Sequence, residues 1–222
     1  DNAFVLNGGG AMKSTLKDLK KYIAMYLNDG TGLNGTSIAK PETITAMTTK
    51  RQMDSYVTDY GYGLDIKELN GLQVTGHGGS LPGVSSHLLW CREKGLGVIV
   101  LCNTEDVPVS GVAEAALSMG MGFKAERILH HYENKPWDAE TLKAACGVYA
   151  SDEGTKVELF MGEDGEVLLK NGDKTSAVTM IEPRHGMIAG EYGDTFIQMI
   201  ADERRGIFGM RYGSRILPRS KA

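Results

Sequence analysis

Residues 76–83 of this 222-residue chain read Gly76-His77-Gly78-Gly79-Ser80-Leu81-Pro82-Gly83, and this is the segment best equipped for chemistry. An imidazole can orient a group or move a proton near neutral pH. The glycines beside it leave backbone without side-chain cover, so a ligand can lie against the strand. Backbone N–H groups next to the histidine are donors of the kind that stabilise a developing oxyanion. The competing reading is a glycine-rich turn with an incidental histidine. It fits less well, because a hairpin needs about two to five turn residues, not eight. The segment is read as lying between two strands, the first ending in His-Gly-Gly.

Other reactive residues offer less. Cys91, Cys102 and Cys146 are odd in number and widely spaced, with no CxxC pair, which argues against a disulfide framework and a structural zinc site. Cys91 and Cys102 lie in apolar strand-like runs and read as buried, inert thiols. His130 and His131 are adjacent, so on a helix they would point about 100° apart and could not share a metal. No metal and no cofactor is assigned. Lys and Arg total 24 against 28 Asp and Glu, a net charge of -4, which argues against a nucleic-acid partner. No apolar run approaches the roughly 20 residues of a membrane span.

The elements that must position residues 76–83 follow from periodicity. Leu16, Leu19, Ile23, Tyr26 and Leu27 recur at helical spacing, and Asn28-Asp29-Gly30 supplies a stop. Pro41 suits the first turn of a short helix through about Met47. Strand-like runs follow at about Tyr60–Lys67, Leu72–Gly76, Ser85–Cys91 and Gly97–Cys102, with Glu93-Lys94-Gly95 turning between the last two. Pro108 to about His131 reads as a helix with Val112, Ala116, Leu117, Met121 and Ile128 along one side. Composition changes after Asn134-Lys135-Pro136. Beyond it, six or seven short β-like runs at about ten-residue spacing suggest a small antiparallel sheet, sandwich or partial barrel. These runs are 147–150, 156–161, 166–170, 177–181, 187–189, 196–201 and 207–212. Glu163-Asp164-Gly165 and Asn171-Gly172 are turn signals among them.

Several motifs in order resemble one family. Gly8-Gly9-Gly10-Ala11-Met12-Lys13-Ser14-Thr15 followed by Asp18-Leu19 resembles the G-G-x-x-S-T-x-x-D-L segment of serine β-lactamase-related hydrolases. That group includes class C β-lactamases, D-alanyl-D-alanine carboxypeptidases, D-aminopeptidases and esterases. Tyr60-Gly61-Tyr62-Gly63-Leu64 resembles its Y-G-x-G strand. His77-Gly78-Gly79 falls at its third catalytic motif, Lys-Thr-Gly in true β-lactamases and often His-x-Gly in the relatives. Pro82-Gly83-Val84-Ser85-Ser86 and Lys94 to Asn103 continue the match, which covers about residues 1–130.

The resemblance implies an α+β fold. Residues 1–135 would form the C-terminal portion of a β-lactamase/penicillin-binding-protein-like catalytic domain, an antiparallel sheet with flanking helices. Residues 136–222 would form an accessory antiparallel β domain. His77 would help position a substrate carboxylate and the proton-transfer network, and Gly78 and Gly79 would let the substrate backbone dock. The Ser80 N–H would be one oxyanion donor, the other belonging to the nucleophile. The implied reaction is hydrolysis through an acyl-enzyme of β-lactams, D-amino-acid peptides or amides, or esters. Histidine in place of lysine favours peptidase or esterase over true β-lactamase. The different-class alternative is a non-catalytic ligand- or cell-wall-binding protein that retains the cleft.

The family nucleophile is the Ser of Ser-x-x-Lys, N-terminal to the matched segment. Ser14-Thr15-Leu16-Lys17 fits by letter but is read as a decoy. Ser14 would cap the following helix, and Lys13, Lys17, Lys20 and Lys21 share a polar face opposite the apolar one. A lysine on a solvated stripe keeps its proton. Tyr26-Leu27-Asn28 fits the second motif equally superficially, since Tyr26 belongs to the apolar stripe. Tyr60 and Tyr62 read as strand core. Arg184-His185-Gly186 reads as a solvated loop, although accessory domains of D-aminopeptidase-like members can send a loop into the active site. Asp202-Glu203-Arg204-Arg205 reads as a solvated hairpin tip. The chain is therefore expected to be part of a longer hydrolase and inactive alone. Its partners would be a small-molecule or peptide substrate. Self-association, or pairing with a missing N-terminal part, would cover an exposed sheet edge. Export to the periplasm or beyond is implied by the resemblance, with any signal upstream of Asp1.

Overall fold

A computed structural model of the chain describes residues 10, 12–53, 58–105, 107–125, 132–152, 154–190 and 193–220. Gly8, Gly9, Ala11, Ile128, His130 and His131 lie outside the described residues. Helix α1 spans Leu16–Leu27 and α2 spans Pro41–Met47. Six strands follow: β1 (Gln52–Met53), β2 (Asp59–Tyr60), β3 (Asp65–Leu69), β4 (Leu72–Leu81), β5 (Val84–Cys91) and β6 (Leu96–Cys102). Helix α3 covers Val109–Gly120. The contacts divide the chain into two compact units, Asp1–Ile128 and Leu129–Ala222.

In the first unit the six strands form one antiparallel meander in sequence order. Asn70 and Gly71, both at positive φ, close the β3–β4 hairpin, as a type I′ turn requires. One face buries Ile23, Tyr26, Ile44, Leu64 and Trp90, with Tyr26 stacked on Trp90 at 4.7 Å. The other buries Leu69, Val74, Leu89 and Cys91 against Ala113 and Leu117 of α3. The thiol of Cys91 is thus a core group, as its strand context predicts. β6 is the outer strand on one side of the sheet, and its Leu101 is 45% exposed.

Several sequence expectations are corrected. Thr15, not Ser14, caps α1: its Oγ1 accepts from the Asp18 N–H at 3.2 Å and donates to the Asp18 carboxylate at 3.0 Å. The Lys21 ammonium, and after it the Thr15 hydroxyl, hold the Asp18 carboxyl below the usual carboxylate range. Tyr60–Lys67 is not one strand, because the Gly61 N–H bonds the Leu64 carbonyl at 2.8 Å and folds the chain back between β2 and β3. α3 stops at Gly120: Gly122 takes φ +89°, and the Gly122 and Phe123 N–H groups return to Met119 and Ser118, a Schellman closure. Its buried face is Ala113, Leu117 and Ser118, while Val112 is exposed, a face one residue away from the expected one.

The second unit opens with α4 (Ala139–Ala145), absent from the sequence reading because seven residues give too short a period. Asp138 caps it, accepting from the Thr141 N–H at 2.7 Å. Strands β7 (Gly147–Ala150), β8 (Lys156–Met161), β9 (Val167–Asn171) and β10 (Lys174–Ala177) form one sheet. Strands β11 (Thr179–Glu182), β12 (His185–Ile188), β13 (Thr195–Asp202), β14 (Gly206–Tyr212) and β15 (Arg215–Pro218) form the other. The expected 177–181 strand is therefore split: Val178, whose N–H bonds Val167 at 2.8 Å, is the corner between sheets.

Tyr149 bridges Arg219, and the Ser220 N–H bonds the Val148 carbonyl at 2.8 Å, so the far ends of the meander also meet. The result is a barrel-like closure around one core that includes Tyr149, Leu159, Leu169, Ile197, Met210 and Leu217. Arg219 donates to the Ala144 and Cys146 carbonyls at 2.5 and 2.6 Å, satisfying the end of α4. The Tyr149 hydroxyl, pushed up to about 12 by burial, donates to Ala145. Among the described residues no helix is long and apolar enough to cross a membrane.

Candidate functional site

β4 runs straight through the chemistry-bearing segment. Leu81 pairs with Val84, so the turn is Pro82-Gly83 alone, and His77 to Ser80 are strand residues, not loop. That corrects the reading of residues 76–83 as an eight-residue connection: Pro82 and Gly83 (φ +81°) suffice for a two-residue hairpin. The pair flanking such a turn exchanges hydrogen bonds, and bonded and non-bonded pairs alternate along the ladder. The N–H groups of His77, Gly79 and Leu81 therefore point to β5. Those of Gly78 and Ser80 point to the opposite edge, beyond Gly76, where β3 pairing ends at Asp65.

His77 is exposed and engaged at both ring nitrogens. Nε2 lies 3.0 Å from the Tyr60 hydroxyl, and Nδ1 lies 2.5 Å from the Gly78 carbonyl oxygen. The two rings meet edge to face at 5.9 Å between centroids. Tyr60 is half-buried, not core, because the turn at Gly61 ends β2 and carries the side chain to the β4 edge. Tyr62 is 59% exposed, with the Arg51 guanidinium 5.1 Å from its ring centre, so it too is a surface residue.

The opposite face of β4 is backed by His87. It pairs with Gly78 across the ladder and is 6% exposed. A Cβ on Gly78 would meet His87 Nδ1 at 3.0 Å, so the missing side chain at 78 makes room for the ring. Burial, reinforced by the positive charge of Lys67, lowers the His87 pKa to about 4, and the nearby Glu114 offsets part of this. Lys67 and Glu114 form an ion pair, and Ser110 donates to Glu114 at 3.1 Å. Beside this face, a cavity of about 410 Å³ opens between the β4–β5 tip and the start of α3. Gly78, Gly79, Ser80, Ser85, His87 and Val109 are among its walls.

The structure brings His77, Gly78, Gly79 and Ser80 together as the sequence order requires. Ser14 and Lys17 are both exposed at the solvated start of α1. Tyr26 is buried with its hydroxyl 3.0 Å from that of Tyr22, and burial raises its pKa, so it remains protonated in the core. Asn28 is the α1 C-cap. In the second unit, His185 and Gly186 belong to β12 instead of a loop, and Arg184 turns at φ +66°. Asp202 accepts from the Arg204 and Arg205 N–H groups at 3.0 and 2.7 Å, forming the solvated hairpin tip. Sequence reasoning missed Tyr60 as the His77 partner and His87 as its backing. The second was accessible: a Pro82-Gly83 turn fixes the register that pairs 78 with 87.

The Beta-lactamase family model matches residues 1–118, more than half of the chain, so the chain belongs to the Beta-lactamase family, the serine β-lactamase-related hydrolases. Among curated relatives, the D-aminopeptidase of Brucella ovis is 26% identical over 133 residues, covering 57% of this chain and 25% of its own. That of Brucella anthropi is 26% identical over 133 residues, covering 58% and 25%. The chain thus spans about a quarter of the length of these relatives. Among solved structures, SurE with D-Leu has a TM-score of 0.69 at 18% identity, covering 93% of this chain and 50% of that one. A second SurE structure has a TM-score of 0.61 at 18% identity, covering 82% and 43%. Both show a shared fold.

Proposed function

We propose that the β4 edge is the substrate-docking strand of a hydrolase site that works through a serine acyl-enzyme on D-amino-acid peptides or amides, or on related esters. One observation carries the reading: a single strand holds an engaged imidazole, two glycines and two N–H groups aimed at its open edge. In this reading a substrate backbone lies along Gly78 and Gly79, and the Ser80 N–H is an oxyanion donor. Loss of one such donor typically costs about 3–4 kcal/mol of transition-state stabilisation. The curated D-aminopeptidases support the substrate class.

The reading places the nucleophile elsewhere than Ser14. A serine nucleophile needs a base within hydrogen-bond reach and a lysine base needs desolvation, whereas Ser14 and Lys17 are both exposed. The test is a serine-directed fluorophosphonate applied to the 222-residue chain and to Ser14→Ala. We expect no labelling of Ser14. Labelling of the native chain that the variant loses, with its fold intact, overturns this placement. For any form that turns over D-alanine p-nitroanilide, His77→Ala should lower the rate by about a hundredfold or more. An unchanged rate in that variant would remove His77 from the mechanism.

A further inference from the structure

We propose that Tyr60 is a positioning residue that, together with the Gly78 carbonyl, holds His77 as its Nδ1–H tautomer, so that His77 has no N–H left for a substrate carboxylate. The Gly78 carbonyl oxygen can only accept, so the 2.5 Å contact requires the proton on Nδ1. A neutral imidazole carries one ring proton, which leaves a lone pair on Nε2. The hydrogen in the 3.0 Å contact to Tyr60 is then the phenolic one, donated by Tyr60. The clamp has two separate anchors. Gly78 lies on β4 itself, and Tyr60 reaches it from β2.

The consequence is one of specificity, and it rests on the docking reading above. With both nitrogens committed, anion recognition at this edge falls to the backbone N–H groups of Gly78 and Ser80. These lie two residues apart on an extended strand, about 7 Å, so each can donate to a separate carbonyl oxygen of a substrate laid along the edge. A free terminal carboxylate beside His77 would face lone pairs in place of donors, and an unmatched charged group is rejected strongly. The site therefore takes amides, esters or blocked carboxyl groups in preference to substrates ending in a free carboxylate at this position.

The experiment is long-range proton–nitrogen NMR of the histidine-labelled full chain at pH 8, above the ordinary histidine range. Native His77 should show a protonated Nδ1 and an unprotonated Nε2. Tyr60→Phe keeps the ring and removes one of the two anchors, and should raise the share of the Nε2–H tautomer. It should also gain about tenfold or more in affinity for D-alanine relative to D-alanine amide, read from the Gly78 and Ser80 amide shifts. A native His77 protonated at Nε2 overturns the proposal even if the variant does not fold, and so does a tautomer unchanged by Tyr60→Phe. If the tautomers behave as stated but neither ligand moves Gly78 or Ser80, the docking reading fails and the assignment of Tyr60 stands.

Discussion

At His87, burial and charge set a pH dependence that belongs to one residue. Its Nε2 is buried without a hydrogen-bond partner among the described residues, and its pKa falls to about 4. In the unfolded chain the ordinary value is near 6.5, so the unfolded state binds a proton that the folded state refuses between those two values. Stability contributed by neutral His87 is therefore complete above about pH 6.5 and is lost as pH falls towards 4. The full window is about 3 kcal/mol. Urea unfolding at pH 7.5 and 4.5 should show this loss in the native chain and markedly less in His87→Phe. An equal acid sensitivity in the variant would assign the loss to other groups. The His87 ring also shapes the candidate site, since it lies directly behind Gly78, whose carbonyl oxygen accepts from His77 Nδ1.

At the scale of elements, β4 is built from glycines whose absent side chains do different jobs. A Cβ on Gly76 would lie 2.0 Å from the Leu88 carbonyl oxygen, a backbone atom that cannot step aside without parting β4 from β5. Gly76→Ala should therefore lose about 3 kcal/mol or more, read by chemical denaturation. A Cβ on Gly79 would meet Ser86 Oγ at 2.9 Å, a side-chain atom free to rotate. Gly79→Ala should lose about 1 kcal/mol or less. Equal losses would mean that the strand spacing does not govern these positions.

How far the sequence reveals such elements depends on the range of the cause. α1, α2 and β5–β6 were legible because period, a proline at the helix start and a turn signal are local. Most second-unit strands were legible in the same way, down to the Asn171-Gly172 turn, but β10 and β15 were not, each being four residues with one buried side chain or none. Tyr60 was not, because its meeting with His77 depends on a reversal at Gly61 that the apolar pattern does not mark. The Val178 corner was equally silent, since one continuous apolar run can supply edges to two sheets. α3 was overextended because Met121 and Ile128 continue the apolar spacing, while the backbone at Gly122 closes the helix.

At the scale of the whole molecule, each unit has its own core, and the candidate site is contained within the first. The family model covers that same part of the chain, so family membership and site geometry bear on one unit. The central claim is that the open β4 edge docks D-amino-acid amides. Titration of the 222-residue chain with D-alanine amide and with L-alanine amide, followed by the backbone amide shifts, tests it most directly. Saturable shifts centred on Gly78 and Ser80 are expected, at lower concentration for the D enantiomer. Shifts confined to other strands, or none with either enantiomer, would contradict it.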